Sequence, residues 1–444
     1  MNLFQIATLM VTLSALFSYV NFQYLRMPAK IGVMTIALAL SLILLLGGIL
    51  GLADAKEHAA EILRGINFNE TLFQGMLAFL LFAGAQYLNL NNLRSEKAAV
   101  ILLATVSVIV STVVVGTATW LVLDLMRIHA DLYQALLFGA LVSPTDPIAV
   151  IGIMKNAQAP KSLEVQMSGE SLFNDGIGAV VFLVILELTI SPAPISGLHV
   201  TMLFLEEAAG GLLFGLGAGY LVYSMLKRID NFQVEILLTL MLAMGAYSLA
   251  EMLPIPVSAP IAVVAAGMLT GNQGRTFAMS AETREYVDRF WELIDEILNA
   301  VLFVLIGLEV LAIPFSWSFA IAGVASILIT LAARWISVAG VMGLLWLARP
   351  IALGTISILT WGGLRGGISV ALALSLPPMK DRDLIVAMTY MVVIFSIIVQ
   401  GLTVGRLTRH FIAISASSEI DQPRLNPIKN IKDIRGSGDE VIPQ

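Results

Sequence analysis

Residues 143–147 read Ser-Pro-Thr-Asp-Pro, and they interrupt the apolar run LLFGALVSPTDPIAVIGIM at positions 136–154. Residues 362–367 read Gly-Gly-Leu-Arg-Gly-Gly and interrupt a second apolar run. Proline removes a backbone donor and clashes with the preceding turn, and glycine weakens a helix. Both segments are therefore predicted to unwind inside a membrane-spanning helix. Unpaired backbone groups at that depth are tolerated only inside protein or beside a water-filled cavity.

The composition is that of a polytopic membrane protein. Of the 444 residues, 58% are apolar and 13% are charged, and the mean hydropathy is +0.89. These values exclude a water-soluble globule. The absence of cysteine excludes disulfides and thiolate metal sites, and the formal charge of −6 argues against a nucleic acid partner. No cofactor is predicted, and the chain is not expected to be an enzyme.

Hydropathy predicts an all-α fold of thirteen transmembrane helices. The predicted spans are residues 4–24, 31–52, 71–91, 98–124, 132–155, 165–190, 201–225, 233–253, 257–271, 291–313, 317–347, 351–376 and 384–407. Two longer connections are predicted: residues 53–70, and residues 271–290, whose charges suit a surface helix. Residues 1–414 are expected to form the transmembrane domain, and residues 415–444 a short cytoplasmic, disordered tail.

The distribution of Lys and Arg predicts the orientation, because cytoplasmic loops carry the excess. Alternate loops hold twelve such residues against five. The larger set is Arg26, Lys30, Arg94, Lys97, Lys155, Lys161, Lys227, Arg228, Arg275, Arg284, Arg289 and Arg349, and the smaller is Lys56, Arg64, Arg127, Lys380 and Arg382. The N-terminus is therefore expected outside and the C-terminus in the cytoplasm, as an odd number of spans requires.

The two interrupted spans, the fifth and the twelfth, are equivalent if spans 1–6 and 8–13 form two inverted six-helix repeats. Paired broken helices in matching positions of two halves are the best sequence indication of a transporter binding site. The alternative is a pair of kinks that only help packing. A functional site is favoured because each break coincides with an intramembrane charge, Asp146 in the fifth span and Arg365 in the twelfth.

The sixth span carries further polar residues in the run GESLFNDG at positions 169–176. Ser171 and Asp175 lie four residues apart on one helical face, and Glu170 and Asn174 lie on the neighbouring face. Asp175 falls about 15 Å along the span from its start near residue 165, at 1.5 Å per residue, and so near the midplane. A charged group at that depth costs about 2.5 to 3.5 kcal/mol, which makes an ion pathway the working hypothesis.

Other intramembrane charges need partners. Glu170 is predicted to pair with Arg365, the alternative being that each faces a wet cavity alone. Arg334 is expected to contact a carboxylate of the tenth span as a structural or pH-modulating residue. Glu296 and Glu309 of the tenth span are candidate modulatory residues, although an interfacial location is the favoured interpretation for charges near the ends of a span.

The ordered motifs resemble those of the electroneutral sodium/proton antiporters of the NhaP and NHE type. They are LLFAGAQYLNLNNLR (80–94), SPTDPIAV (143–150), GESLFNDG (169–176), FVLIGLEV (303–310) and WGGLRGGISVALALSLP (361–377). The resemblance covers nearly the whole chain, and its most specific feature is the combination of the Asn174–Asp175 pair with Thr145–Asp146 and Arg365.

The resemblance implies a mechanism and a site. Asp175 would hold Na⁺ and H⁺ in turn, and Asp146, Ser171 and the Thr145 backbone would complete the Na⁺ site. Asn174 would bond within the core, and it replaces the second aspartate of electrogenic relatives, which implies electroneutral 1:1 exchange. The family further implies a homodimer in the plasma membrane. The moving core would comprise residues 132–190 and 351–407, with the unwound spans crossing, and the remaining spans would form a dimerising scaffold.

One departure concerns cation selectivity. Many relatives have an acidic residue in the third span, where this chain has Ala83. Gln86, one turn away, is a candidate neutral ligand, although an ordinary interhelical hydrogen bond is the favoured interpretation of this amide. Li⁺ or K⁺ as the transported cation, including a K⁺-selective antiporter of the same fold, therefore remains an alternative. A cation channel and an intramembrane aspartyl protease are the alternatives from other functional classes.

Overall fold

The computed structural model describes residues 3–49, 75–146, 148–190, 197–312, 316–347, 351–352 and 354–420. Over these ranges the regular elements are all helices, which confirms the predicted all-α class. The connection predicted at residues 53–70 lies outside the described residues, as does the segment after residue 420.

The longer helices follow the chain in this order. They are α1 (Leu3–Val20), α2 (Ala29–Ile49), α3 (Leu77–Tyr87), α4 (Leu90–Leu102), α5 (Val108–Leu125), α6 (Leu132–Val142), α7 (Ile148–Asn156), α8 (Lys161–Ile190), α9 (Gly197–Leu226), α10 (Phe232–Met252), α11 (Ala259–Leu269), α12 (Ala281–Glu309), α13 (Trp317–Trp346), α14 (Thr355–Gly362), α15 (Gly367–Leu374), α16 (Arg382–Phe395) and α17 (Gly401–Ile420). The π turns Leu103–Ser107 and Ser396–Gln400 join α4 to α5 and α16 to α17 without a break.

Eight helical segments of the described chain are long and apolar enough to cross a membrane, and α14 with α15 forms a ninth, bent one. The eight are Phe4–Leu25, Ala29–Gly47, Leu90–Leu125, Lys161–Ile190, Thr201–Leu226, Phe232–Met252, Trp317–Trp346 and Arg382–Ile414. The remaining predicted spans also contain helical residues. The multi-pass class is confirmed, while the count of thirteen and the inverted repeats stay predictions.

Both predicted breaks are present. Helix α6 ends at Val142 and α7 begins at Ile148, so the SPTDP segment is not helical over its described residues. Helix α14 ends at Gly362 and α15 begins at Gly367, with a 45° bend between them. Each interrupted span is therefore a pair of half-helices whose ends meet inside the protein.

A small residue allows close packing between two of the other helices. A Cβ atom on Gly215 of α9 would lie 2.1 Å from the Ala262 carbonyl oxygen of α11, so only glycine fits there. Without a hydrophobic driving force between helices in lipid, such backbone approach supplies the packing that holds them together. The contact fixes α9 against α11, and α11 in turn packs on α3 and α10.

The charged connection before the tenth span is not a separate surface helix. Helix α12 begins at Ala281, where the Ser280 hydroxyl oxygen accepts the Thr283 backbone N–H, and it continues without interruption to Glu309. Its charged first part is thus the cytoplasmic-side extension of the span under the predicted orientation. At the other end of the chain, α17 runs to Ile420, beyond the predicted start of the tail at residue 415.

Candidate ion-binding site

The two unwound segments touch each other directly. The Asp146 backbone N–H donates to the Leu364 carbonyl oxygen at 2.7 Å. The Arg365 backbone N–H donates to the Ser396 hydroxyl oxygen at 2.9 Å, which ties the same segment to the end of α16. Because half-helix ends leave backbone groups unpaired, these bonds satisfy groups that neither broken helix can satisfy alone. The crossing brings two segments more than 200 residues apart to one point.

The Asp146 carboxylate lies against the start of α15. A Cβ atom on Gly366 would be 2.5 Å from Asp146 Oδ2, so glycine is needed for this approach. The first N–H groups of a helix and its dipole favour negative charge at that end. The glycines of the twelfth span therefore do two things: they interrupt the helix, and they let its second half face a carboxylate.

Asn174 links the sixth span to the unwound fifth span. Its Nδ2 donates to the Thr145 hydroxyl oxygen at 2.9 Å, and the Thr145 backbone N–H donates to Asn174 Oδ1 at 3.4 Å. Both residues are buried, with Asn174 fully buried and Thr145 3% exposed. The amide thus holds the non-helical backbone beside α8 and places Asp146 near Asp175.

A cavity of about 110 Å³ lies at this crossing. Its lining includes Thr145, Asp146, Ser171 and Asp175, four residues that the sequence assigned to one site. A cavity of this size has room for a small cation with several waters. Its lining is mainly apolar, but it includes residues with carboxylate, hydroxyl and amide oxygens, which are ligand types that hard cations prefer.

The third span contributes little polarity to the cavity. Its lining residues from α3 are Leu77, Leu80, Leu81 and Gly84. Ala83 and Gln86 are buried, with exposures of 0% and 3%, but neither is part of the lining. Gln86 instead packs where Gly271 approaches its backbone. The structure thus does not bring Gln86 to the other predicted ligands.

Glu170 pairs with Arg334, and the predicted pairing with Arg365 is wrong. Both terminal nitrogens of Arg334 donate to Glu170, the Nη1 contact to Oε1 being short and the Nη2 contact to Oε2 being 3.0 Å. The two side chains are almost fully buried, at 1% and 3% exposure for the residues. Bidentate geometry of this kind satisfies both charges at once.

Arg365 has a different role. Its Nη1 donates to the Gly363 carbonyl oxygen at 2.6 Å, and Arg334 Nη2 donates to the Leu359 carbonyl oxygen at 3.2 Å. Both carbonyls belong to the last turn of α14 and the residue after it, where helical partners are missing. The two guanidinium groups therefore cap the broken end of the twelfth span. The prediction that Arg334 contacts a tenth-span carboxylate is also corrected, since its carboxylate partner is in the sixth span.

The other candidate modulatory residues lie away from the cavity lining. Glu296 is exposed on α12, and Glu309 is half-buried at the end of the same helix. Asp295 of α12 accepts a hydrogen bond from Lys30 at 3.4 Å. One lining residue from this helix was missed, Asn299, which is fully buried. The available signal was a lone amide in the apolar run ILNAVLFVL, at positions 297–305.

Comparison with known proteins places this chain in a family. Residues 11–410 match the family described as sodium/hydrogen exchanger, transmembrane. The chain is 49% identical over 408 residues to the Na⁺/H⁺ antiporter NhaP of Pseudomonas aeruginosa, covering 91% of this chain and 96% of that one. It is 37% identical over 374 residues to the Na⁺/H⁺ antiporter NhaH of Halobacillus dabanensis, covering 83% and 90%.

The fold has a close counterpart among solved structures. The sodium proton antiporter MjNhaP1 from Methanocaldococcus jannaschii at pH 8 matches with a TM-score of 0.71 and 20% sequence identity, covering 90% of this chain and 96% of that chain. Likeness at that identity shows the shared fold, while the family match and the sequence relatives carry the membership. The family recognised from the motifs is therefore confirmed: the chain belongs to the sodium/hydrogen exchanger family.

Proposed function

We propose that this protein exchanges one Na⁺ for one H⁺ across a membrane, with both ions competing for the Asp175 carboxylate. The observation that carries the proposal is the cavity at the crossing of two unwound spans, lined by Asp175, Asp146, Ser171 and Thr145. The names of the sequence relatives, Na⁺/H⁺ antiporters, support the same reaction.

Each polar residue of the cavity has a proposed role. Asp175 holds Na⁺ or H⁺ in turn, while Asp146, Ser171 and the backbone of Thr145 complete the Na⁺ site. Carboxylate, hydroxyl and carbonyl oxygens suit a hard monovalent cation. Asn174 keeps the unwound backbone in place through its bonds to Thr145. No resident cofactor takes part, because the cation and the proton are the transported substrates.

Obligatory exchange follows from the cost of moving an isolated charge through surroundings of low polarity. An ionised Asp175 without a cation would cross the membrane interior uncompensated, which is expensive. The binding site therefore changes sides readily only when Asp175 carries Na⁺ or H⁺. Alternating access in this form prevents an uncoupled leak and distinguishes an antiporter from a channel built on the same residues.

The proposed stoichiometry follows from the residue beside the exchanging carboxylate. Asn174 cannot take up or release a proton in the working range, so one exchanging group remains in the sixth span. Each cycle then carries one positive charge in each direction, and transport is electroneutral. Ala83 leaves the site without an acidic ligand from the third span, and K⁺ or Li⁺ is the alternative to Na⁺ for that reason.

The larger organisation follows the same proposal. Residues 132–190 and 351–407 form the moving core, and the other spans of residues 1–414 form a scaffold through which two copies dimerise. The protein would lie in the plasma membrane with the N-terminus outside and the C-terminus in the cytoplasm, as the Lys and Arg distribution predicts. The lipid bilayer and a second copy of the chain are then its structural partners.

Reconstitution into liposomes with an imposed pH gradient tests the function. Adding Na⁺ outside is expected to dissipate the gradient, at a rate that does not change when K⁺ with valinomycin clamps the membrane potential. A rate that depends on the clamped potential would contradict the 1:1 stoichiometry. Repeating the titration with K⁺ and Li⁺ identifies the transported cation as the one with the lowest half-saturating concentration.

The proposed competition also predicts a pH dependence. Protons that occupy Asp175 exclude Na⁺, so the half-saturating Na⁺ concentration is expected to rise as the pH falls. At pH values where most of the sites are protonated, the half-saturating Na⁺ concentration should rise by at most about tenfold for each unit by which the pH falls. Saturating Na⁺ should reverse the inhibition at any one pH. Initial rates of liposome exchange at several pH values measure this, and a half-saturating concentration independent of pH would exclude competition at one carboxylate.

A further inference from the structure

Asn299 of α12 reaches the cavity from outside the two broken spans. The residue is fully buried and belongs to the cavity lining together with Asp175 and Ser171. Helix α12 is part of the proposed scaffold rather than the proposed core. Asn299 therefore lines the same cavity as the residues of the sixth span, but it does so from a different helix.

The hydrogen bonds of Asn299 determine the orientation of its side-chain amide. Asn299 Nδ2 donates to the Asp295 backbone oxygen at 2.7 Å and to Asp295 Oδ1 at 2.9 Å. A backbone carbonyl oxygen can only accept a hydrogen bond, so the amide NH₂ must face it and the amide cannot be turned over. Lys30 binds the other carboxylate oxygen, Asp295 Oδ2, at 3.4 Å, which keeps the acceptor in place.

The side-chain oxygen of Asn299 has no hydrogen-bond partner among the described residues. Asn299 Oδ1 is buried and accepts no hydrogen bond from any residue of the described part of the chain. Buried polar atoms in native structures are satisfied in nearly all cases, and an exception calls for a water or an ion as the explanation. Here the unsatisfied atom is an oxygen acceptor whose residue lines a cavity with two carboxylates.

We propose that Asn299 Oδ1 is a neutral ligand of the transported cation, supplied by α12. The inference rests on the proposed function and adds one ligand to its site. An amide oxygen is a suitable ligand for a hard cation and adds no charge, so the electroneutral stoichiometry is preserved. Asn299 thus provides an oxygen ligand from the tenth span, whereas Ala83 and Gln86 of the third span provide none.

A ligand from α12 would also join the two sides of the site. A cation held by Asp175 on α8 and by Asn299 on α12 bridges the proposed core and the proposed scaffold. A proton on Asp175 is bonded covalently to one carboxyl oxygen and allows that group to donate a single hydrogen bond, whereas a cation is held by several oxygen ligands at once. The two substrates would therefore differ in the contacts that they make between the parts that move.

Substitution of Asn299 tests the ligand role. Asn299→Leu keeps the branching at Cγ and removes the oxygen, and it is expected to raise the half-saturating Na⁺ concentration about tenfold, as for loss of one charge–dipole contact. Asn299→Ser is a second variant in case the first does not fold. Its hydroxyl can still donate to Asp295 but is too short to replace Oδ1, so it should weaken Na⁺ binding similarly.

A third variant separates a ligand from a purely structural residue. Asn299→Asp keeps an oxygen at the cavity and loses the donor to Asp295. A ligand role predicts half-saturation at or below the native value at alkaline pH. A role limited to supporting Asp295 predicts the same weakening as in Asn299→Leu. Gln233→Leu, which removes an amide from an exposed position of α10, is the control expected to match the native protein.

Two measurements are needed. The first is the half-saturating Na⁺ concentration for exchange in liposomes. The second is the rise in Tm of the purified protein when Na⁺ is added, which reports Na⁺ binding independently of transport. Native half-saturation and a native rise in Tm in Asn299→Leu or Asn299→Ser would overturn the ligand role, as would weakening in Asn299→Asp equal to that in Asn299→Leu. If Asp175→Asn retained exchange, the proposed function itself would fail. Loss of exchange in that variant with native behaviour of the Asn299 variants would refute only this inference.

Discussion

Asp175→Asn is expected to abolish cation/proton exchange while leaving the protein folded. Asparagine has nearly the same shape as aspartate but can neither carry the exchanged proton nor offer a negative charge to Na⁺. At a contact distance of about 2.4 Å and an effective dielectric constant of about 20, the lost attraction is on the order of 7 kcal/mol before desolvation. Exchange should therefore fall by well over a hundredfold, because each 1.4 kcal/mol corresponds to a factor of ten.

The matched comparison is Asp146→Asn, since the two carboxylates line the same cavity but have different proposed roles. Asp146→Asn removes a cation ligand and leaves the exchanging carboxylate, so it should raise the half-saturating Na⁺ concentration and retain exchange at saturating Na⁺. Asp124→Asn makes the same chemical change at an exposed position, 68% exposed in its side chain, and should behave as the native protein.

Dissipation of a pH gradient in liposomes measures all three variants, and gel filtration and Tm show that each is folded. Exchange by Asp175→Asn at native rates would remove Asp175 from the mechanism. Complete loss in both Asp175→Asn and Asp146→Asn would mean that both carboxylates are essential to exchange, against the division of roles proposed above.

Removing one partner of the Glu170–Arg334 pair is expected to cause the largest loss of stability. Either Glu170→Gln or Arg334→Gln leaves a nearly fully buried group without its charged partner, and breaking such pairs typically costs about 3–5 kcal/mol. The double variant leaves no charge at either position. It should therefore lose less than the sum of the two single variants.

A double-mutant cycle identifies the partner of Glu170. The coupling energy between Glu170 and Arg334 should be at least about 2 kcal/mol, within the range for groups in direct contact. The same cycle with Arg365→Gln should give a smaller coupling energy, because the Arg365 guanidinium donates to Gly363 instead. Denaturation of the purified protein in mixed micelles supplies the free energies of unfolding.

The reverse ranking, with the stronger coupling to Arg365, would contradict the ion pairing described above. Equal stability of all single variants would show that the buried pair contributes nothing measurable. Exchange rates of the folded variants form a separate readout, since a purely structural pair should alter Tm more than the half-saturating Na⁺ concentration.

Several features of the site followed from local sequence. The prolines around Asp146 and the glycines around Arg365 predicted two breaks, because both effects act on the backbone of the residues concerned. The four-residue spacing of Ser171 and Asp175 placed them on one face of a helix. The ordered motifs identified the family. These features depend on chain geometry over one or a few helical turns, which a sequence specifies directly.

Features that depend on contact between distant helices were predicted less well. The sequence analysis paired Glu170 with Arg365 and Arg334 with a carboxylate of the tenth span, and both pairings are wrong. Arg365 belongs to a non-helical turn, and its side chain folds onto the Gly363 carbonyl, while Arg334 approaches Glu170 from an intact helix. Asn299 was missed because its importance comes from the bonds to Asp295 and from the cavity wall it shares with the sixth span.

The sequence by itself determined the membrane class, the two broken spans, the family and four residues of the central cavity, because hydropathy, proline, glycine and helical spacing act within a segment. The tertiary structure decided which arginine pairs with Glu170 and that Gln86 lies outside the cavity lining. It also decided that Asn299, a residue of that lining, has a side-chain oxygen with no hydrogen-bond partner among the described residues. Those outcomes depend on the packing angle and axial register of neighbouring helices, to which residues far apart in the chain contribute jointly.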